Sequence, residues 1–209
     1  MPRTRFRAVF SDIGGVLGTN GWDGPLRTRV CEQFGVTQEE IEEKHRLTFD
    51  SFERGFIKFD DYLKEVFFGQ PRAFTPEALR AFICDASTPW PENLDLLRRL
   101  RSAGDVKVGL ISNEGDGLAQ HRVRKFRLGE ICDFMVISYF IHLRKPDPAI
   151  WQIAADLAGV SPEEAIYIDD RELFAQTASR LGFTGIHHTS LQSTRQQLGA
   201  LGLEITETK

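Results

Sequence analysis

The chain has 209 residues, 41% of them hydrophobic and 27% charged, enough to bury a sizeable core as one domain or as a domain carrying an insertion. A formal net charge of -4, with Lys and Arg scattered rather than blocked, leaves no basic footprint, so a nucleic-acid partner is not expected. Cys31, Cys84 and Cys132 are widely spaced and form no Cys-x-x-Cys pair, which argues against a disulfide framework or a zinc site and suits a reducing compartment. No apolar run approaches the roughly 18 residues of a membrane span, and the basic start Met1-Pro2-Arg3-Thr4-Arg5 leads towards a strand rather than a signal segment; no membrane association and a cytoplasmic location are expected.

In chain order, a first apolar run at 6–11 reads as a strand ending at Asp12. From 20 to 88 the sequence offers helical patterns and no convincing strand. Thr37-Gln38-Glu39-Glu40 is a capping box ahead of Ile41, His45, Thr48 and Phe52, and Thr75-Pro76-Glu77 opens a helix bearing Leu79, Phe82 and Ile83. This stretch is rich in phenylalanine, from Phe49 to Phe82, which fits either the core of a small bundle or an apolar wall facing a substrate. A helix starts at Pro91, shows Leu94, Leu97 and Leu100 on one face and stops at Gly104. Strands follow at 106–111 and 134–138. Asp147-Pro148 opens a helix carrying Ile150, Ile153, Ala154 and Leu157 that ends at Gly159, and Ser161-Pro162-Glu163-Glu164 caps a short turn before strands at 165–169 and 183–187. The tail Glu204–Lys209 is expected to fray. Strands alternating with helices predict an α/β fold, a doubly wound parallel sheet of Rossmann-like form, interrupted by a helical insert. The expected division is a core of 1–19 and 89–209 and an insert of 20–88.

Ligands of such sheets sit outside the carboxyl ends of the strands, where residues distant in sequence converge. Asp12, Ser112 and Asp169-Asp170 each stand at such an end, and Lys145 lies in Arg144-Lys145-Pro146-Asp147-Pro148 just before a helix. A carboxylate nucleophile, a hydroxyl and an ammonium for oxyanions, and an acidic pair for a hard cation are the parts phosphoryl transfer requires. On its own segment Asp12 reads equally as the cap of a turn. Ser112-Asn113 can donate from the hydroxyl and nearby N–H groups to phosphate oxygens, and the adjacent Asp169 and Asp170 repel each other unless a cation lies beside them. Gly14 and Gly15 allow a sharp turn and a close backbone approach.

Those four segments, in this order, resemble the haloacid dehalogenase superfamily over nearly the whole chain. The resemblance implies a helical cap inserted after the first strand that closes over the site and chooses the substrate. It implies Asp12 as a nucleophile forming an aspartyl-phosphate and Ser112, Asn113 and Lys145 as phosphate-binding groups. Mg²⁺ would be held by Asp12, Asp170 and the Gly14 carbonyl, with Asp169 supporting. A phospho-acceptor receiver domain uses similar groups, but its acidic pair precedes its acceptor, and the order here excludes it.

Three positions depart from the family pattern. Gly14 stands where its phosphatases usually carry a second aspartate as general acid and base; Phe174 stands where Asp or Asn is common; His142 stands where Gly is common. Some family phosphatases acting on sugar 1-phosphates, and parts of the dehalogenase branch, are similar at Asp-x-Gly. The expected activity is Mg²⁺-dependent hydrolysis of a small-molecule phosphate ester, favouring leaving groups that depart easily. The alternatives are 2-haloacid dehalogenation by Asp12 without metal, and a catalytically silent binding protein. His142 is a candidate replacement for the missing acid, Asn20 and Trp22 are candidate pocket residues, and His187 and His188, on opposite strand faces, are unsuited to joint metal ligation.

Overall fold

Strand β1 (Ala8–Ser11) is buried along its whole length and is the central strand of a five-stranded sheet. The computed structural model describes residues 4–203; the tail expected to fray, and the first three residues of the basic start, lie outside them. β1 is followed by helices α1 (Gly24–Phe34), α2 (Gln38–Glu53), α3 (Phe59–Phe67), α4 (Pro76–Asp85) and α5 (Pro91–Ala103). Strand β2 (Lys107–Ser112), α6 (Leu118–Lys125), β3 (Phe134–Ile137), the single turn α7 (Ser138–Ile141) and α8 (Pro148–Ala158) come next, then β4 (Ala165–Asp169), α9 (Glu172–Arg180), β5 (Thr184–His187) and α10 (Leu191–Ala200).

All neighbouring strands are parallel, in the order β3-β2-β1-β4-β5. A parallel sheet needs cover on both faces, and the twofold period of a strand supplies side chains to each. Ala8 and Phe10 of β1 join Ile150, Trp151, Ala154 and Phe174 on one side. Val9 joins Leu94, Leu97 and Leu100 of α5 and Leu198 of α10 on the other. A third apolar cluster gathers Trp22, Leu26, Phe52, Phe59, Phe67, Leu79 and Ile83 from α1–α4 and their approach, joined by Leu118 of α6.

The chain leaves the sheet for these helices and returns at one place. Gly18 bridges Pro89, and Thr19 N–H donates to the Thr88 carbonyl at 2.9 Å. Both halves of the capping box are present at Thr37 and Glu40, and α5 and α8 stop at Gly104 and Gly159 as expected. Among the described residues no helix is long and apolar enough to cross a membrane.

Candidate functional site

The sheet order explains how the distant segments meet. β1 lies between β2 and β4, with Ser11 opposite Leu110 on one side and Ile168 on the other. One residue further, Asp12 therefore stands level with Ile111 and Asp169, at the spacing of about 4.8 Å between paired strands. Asp12 N–H donates to the Ile168 carbonyl at 2.8 Å, so its backbone still belongs to the ladder while its side chain leaves the sheet end. Its Oδ1 accepts from Ile13 N–H at 2.7 Å.

Lys145 enters from the loop before α8 and is fully buried. Its Nζ lies 3.0 Å from Asp12 Oδ2 and 2.7 Å from Asp169 Oδ2, and donates to Tyr167 Oη at 2.8 Å. Burial opposes the ammonium charge, but the Asp12 and Asp169 carboxylates outweigh it and raise the pKa of Lys145. Asn113 holds this residue by its main chain: Oδ1 accepts from Lys145 N–H at 2.8 Å and Nδ2 donates to Lys145 O at 2.9 Å. The Phe174 ring lies 5.0 Å from Nζ, so the aromatic residue at the position where the resemblance leads one to expect Asp or Asn still favours the cation.

Asp169 is saturated. Besides Lys145, Tyr167 Oη donates to its Oδ2, and Arg171 N–H donates to its Oδ1 at 2.8 Å. Asp170 is different, because its Oδ1 is buried without a hydrogen-bond partner while Oδ2 receives Asn20 Nδ2 at 3.3 Å. Burial, and then the Asp12 carboxylate, raise the Asp170 pKa. Oxygens of Asp12, Asp169 and Asp170 all lie within 4.8 Å of one another. An all-oxygen set with one orphaned carboxylate atom fits a hard divalent cation.

The glycines beside Asp12 have different reasons for their size. Gly15 has φ 68, and a Cβ there would fall 2.1 Å from Asp170 Oδ2, so both backbone and space require glycine. Gly14 carries no such backbone constraint; a Cβ would meet Asn20 Oδ1 at 2.8 Å, the end of a side chain that can move. Next to it lies a buried ion pair that sequence reasoning missed. Arg122 donates to Glu114, and its Nη2 donates to the Thr19 carbonyl at 2.6 Å.

Part of this set borders a cavity of about 270 Å³ shared with the helical insert, whereas Asp169 and Asp170 lie outside its lining. The cavity brings together Asp12, Gly14, Ser112, Asn113 and Lys145 with Asn20, Trp22 and Phe174. Trp22 lines the cavity as expected, and its Nε1 also donates to Tyr62 Oη at 2.6 Å inside the cluster of α1–α4. Tyr62 Oη lies 2.6 Å from His45 Nδ1, and burial lowers the His45 pKa to about 4, so its ring is neutral. Phe49 and Phe52 reach the cavity, whereas Phe59 and Phe67 remain in the cluster behind it.

His142 is placed elsewhere. Its Nδ1 donates to the Arg54 carbonyl at 2.6 Å, Arg54 Nε donates back to the His142 carbonyl at 2.9 Å, and its ring stacks on Phe56. It is spent on joining the helical insert to the α7 turn. Arg144 does similar work at 3.1 Å from Asp50 and 2.6 Å from Glu53. His187 Nε2 lies 3.0 Å from Asp170 O, while His188 Nδ1 lies 2.7 Å from Thr194 Oγ1, so the two rings do diverge. Glu53, Glu114, Arg122 and Tyr167 all went unnoticed in the sequence. Tyr167, two residues before Asp169 on one strand face, is the one that periodicity could have marked.

Comparison with known proteins adds relatives of two activities. An (S)-2-haloacid dehalogenase of Burkholderia cepacia is 29% identical over 97 residues, 46% of this chain and 42% of that protein, so the match spans less than half of the relative. A chloroplast flavin mononucleotide hydrolase of Arabidopsis thaliana is 26% identical over 187 residues, 88% of this chain and 75% of that protein. A crystal structure of a Bacteroides thetaiotaomicron enzyme of the same superfamily, in complex with magnesium and inorganic phosphate, superimposes with a TM-score of 0.72 at 25% identity, over 86% of this chain and 92% of that one. The family model for a haloacid dehalogenase-like hydrolase matches residues 6–182, and on that span, with its helical insertion after the first strand, the chain belongs to the haloacid dehalogenase-like hydrolases.

Proposed function

We propose that the chain is a Mg²⁺-dependent phosphatase that hydrolyses a small-molecule phosphate ester. The observation that carries this reading is the orphaned Asp170 Oδ1 in a three-carboxylate cluster that faces the fully buried Lys145. Asp12, Asp170 and the Gly14 carbonyl would hold Mg²⁺, with Asp169 fixing Lys145 from behind. The bound cation supplies neutralisation of phosphoryl charge. Asp12 attacks phosphorus in line, the P–O bond to the leaving group breaks, and an aspartyl-phosphate forms. Water then cleaves this acyl phosphate and restores Asp12. Lys145, the Ser112 hydroxyl and the N–H groups around Asn113 stabilise the equatorial oxygens.

Residues 20–88 act as the cap over a core of 1–19 and 89–209, a division supported by the bridge between Gly18 and Pro89. The cavity of about 270 Å³ favours a compact substrate. Haloacid dehalogenation is disfavoured because attack of Asp12 on carbon leaves the carboxylate cluster without its cation. A panel of phosphate esters and 2-haloacids, each with Mg²⁺ and with chelator, decides between them. Ester hydrolysis that needs metal is the expected result; chelator-resistant halide release would establish the dehalogenase, and silence across the panel a binding protein.

Mg²⁺ should also stabilise the fold, because a cation bound only by the folded state relieves repulsion among these carboxylates. At a hundredfold excess over its dissociation constant the gain is about 2.7 kcal/mol. Asp170→Ala should lose that gain in thermal denaturation. An equal Mg²⁺-dependent shift in wild type and variant would place the cation elsewhere.

A further inference from the structure

An alkoxide leaves phosphorus slowly unless it is protonated, and Gly14 offers no side chain to do it. In-line displacement puts the leaving oxygen on the side of phosphorus away from Asp12, hence away from the sheet and towards the wall built by the insert. Two carboxylates of the insert line the cavity, Asp23 and Glu53. Asp23 is occupied as the cap of α1, accepting from Leu26 N–H at 2.9 Å. From the core side Glu114 is committed to Arg122.

Glu53 ends α2, is 9% exposed, and is pinned by its main chain, whose carbonyl accepts from Ser138 Oγ at 2.7 Å. The same Ser138 Oγ accepts from Glu114 N–H at 3.0 Å, so one hydroxyl sets this end of α2 against the loop that follows β2. Arg144 Nη2 lies 2.6 Å from Glu53 Oε2, and that buried oxygen makes no hydrogen bond. The residue lines the cavity, and its carboxyl has a compensating charge beside the buried Oε2, which no hydrogen bond holds. Burial raises its pKa to about 7; Arg144, Arg171 and Lys145 pull it down and Glu114 pushes it up. A group poised there can give a proton and take it back near neutral pH.

We infer that Glu53 protonates the leaving oxygen, an assignment that rests on the phosphate-ester reading. Its carboxylic O–H gives a proton to the ester oxygen as the P–O bond breaks, releasing the alcohol and leaving a carboxylate beside Arg144. That carboxylate then takes a proton from the water that cleaves the aspartyl-phosphate, so acid and water balance over the cycle. The acid role requires the protonated form, and its contribution is lost as pH rises through the pKa of Glu53.

With Mg²⁺ and wild-type enzyme, kcat/KM for an alkyl phosphate should fall above about pH 7, while that for nitrophenyl phosphate, whose leaving group needs no proton, should not. Glu53→Gln should lose about 10²–10⁴-fold on the alkyl ester and less than about tenfold on the nitrophenyl ester, with Glu53→Asp recovering part of the loss. Equal losses on both esters would reduce Glu53 to a partner of Arg144, and coincident wild-type pH profiles would overturn the assignment even if the variants fail to fold. Wild type inert to nitrophenyl phosphate sinks the ester reading and this assignment together, whereas ester turnover with coincident profiles sinks this assignment alone.

Discussion

Asp12→Asn should reduce turnover by about 10⁵–10⁶-fold, the scale on which removing a nucleophile acts. The amide is nearly isosteric, and its oxygen can still accept from Ile13 N–H, so the turn after β1 keeps its shape. What disappears is the lone-pair donor that forms the acyl phosphate. Lys145 keeps Asp169 and Tyr167 as partners, which holds the ammonium in position for a phosphoryl group. The variant should therefore bind inorganic phosphate while forming no covalent intermediate, a contrast that acid-quench labelling and calorimetry read separately. Residual hydrolysis within about a hundredfold of wild type would remove Asp12 from the nucleophile's place.

Much of this site could be read before any coordinates because a parallel sheet converts sequence order into spatial convergence. Asp12, Ser112 and Asp169 each end a strand whose apolar run is continuous, and β2, β1 and β4 are neighbours, so three positions separated by up to 157 residues meet at one edge. Helix ends were legible for a similar local reason: Thr37 with Glu40 and Ser161 with Glu164 satisfy each other's backbone donors within four residues. The parts that escaped depend on partners distant in sequence. Glu53 looks like one more charge on α2 until Ser138 and Arg144 close around it. Arg122 lies among the basic residues of α6 and would pass for solvated charge, yet it is buried against Glu114 and the Thr19 carbonyl. His142 looked available because its neighbours in sequence are catalytic in type; its actual partner is Arg54, 88 residues away.

Lys145→Met should lower both stability and activity more than any other single change in the phosphate-binding set. Methionine fills nearly the same volume, so the loss is electrostatic rather than a cavity: Asp12 and Asp169, now 3.0 and 2.7 Å from the ammonium, would face one another with no cation. Leaving buried charges uncompensated costs about 3–5 kcal/mol, whereas replacing a whole buried pair is often nearly neutral. Adding Asp169→Asn should therefore recover part of the loss without restoring activity. The pH dependence has a definite sign. Burial already lifts the Asp169 pKa to about 6, and Lys145 works against that rise, so the variant's carboxyl goes higher still. A folded-state pKa above the unfolded value favours the fold most below the unfolded pKa, near 3.9, and that advantage is lost as pH rises through the folded value. The deficit relative to wild type should accordingly be larger at pH 8 than at pH 5 in urea denaturation, and Mg²⁺ should narrow it at pH 8 by restoring positive charge between the carboxylates. A deficit independent of both pH and Mg²⁺ would mean that Lys145 is held by packing against Phe174 and Tyr167 rather than by its two acids.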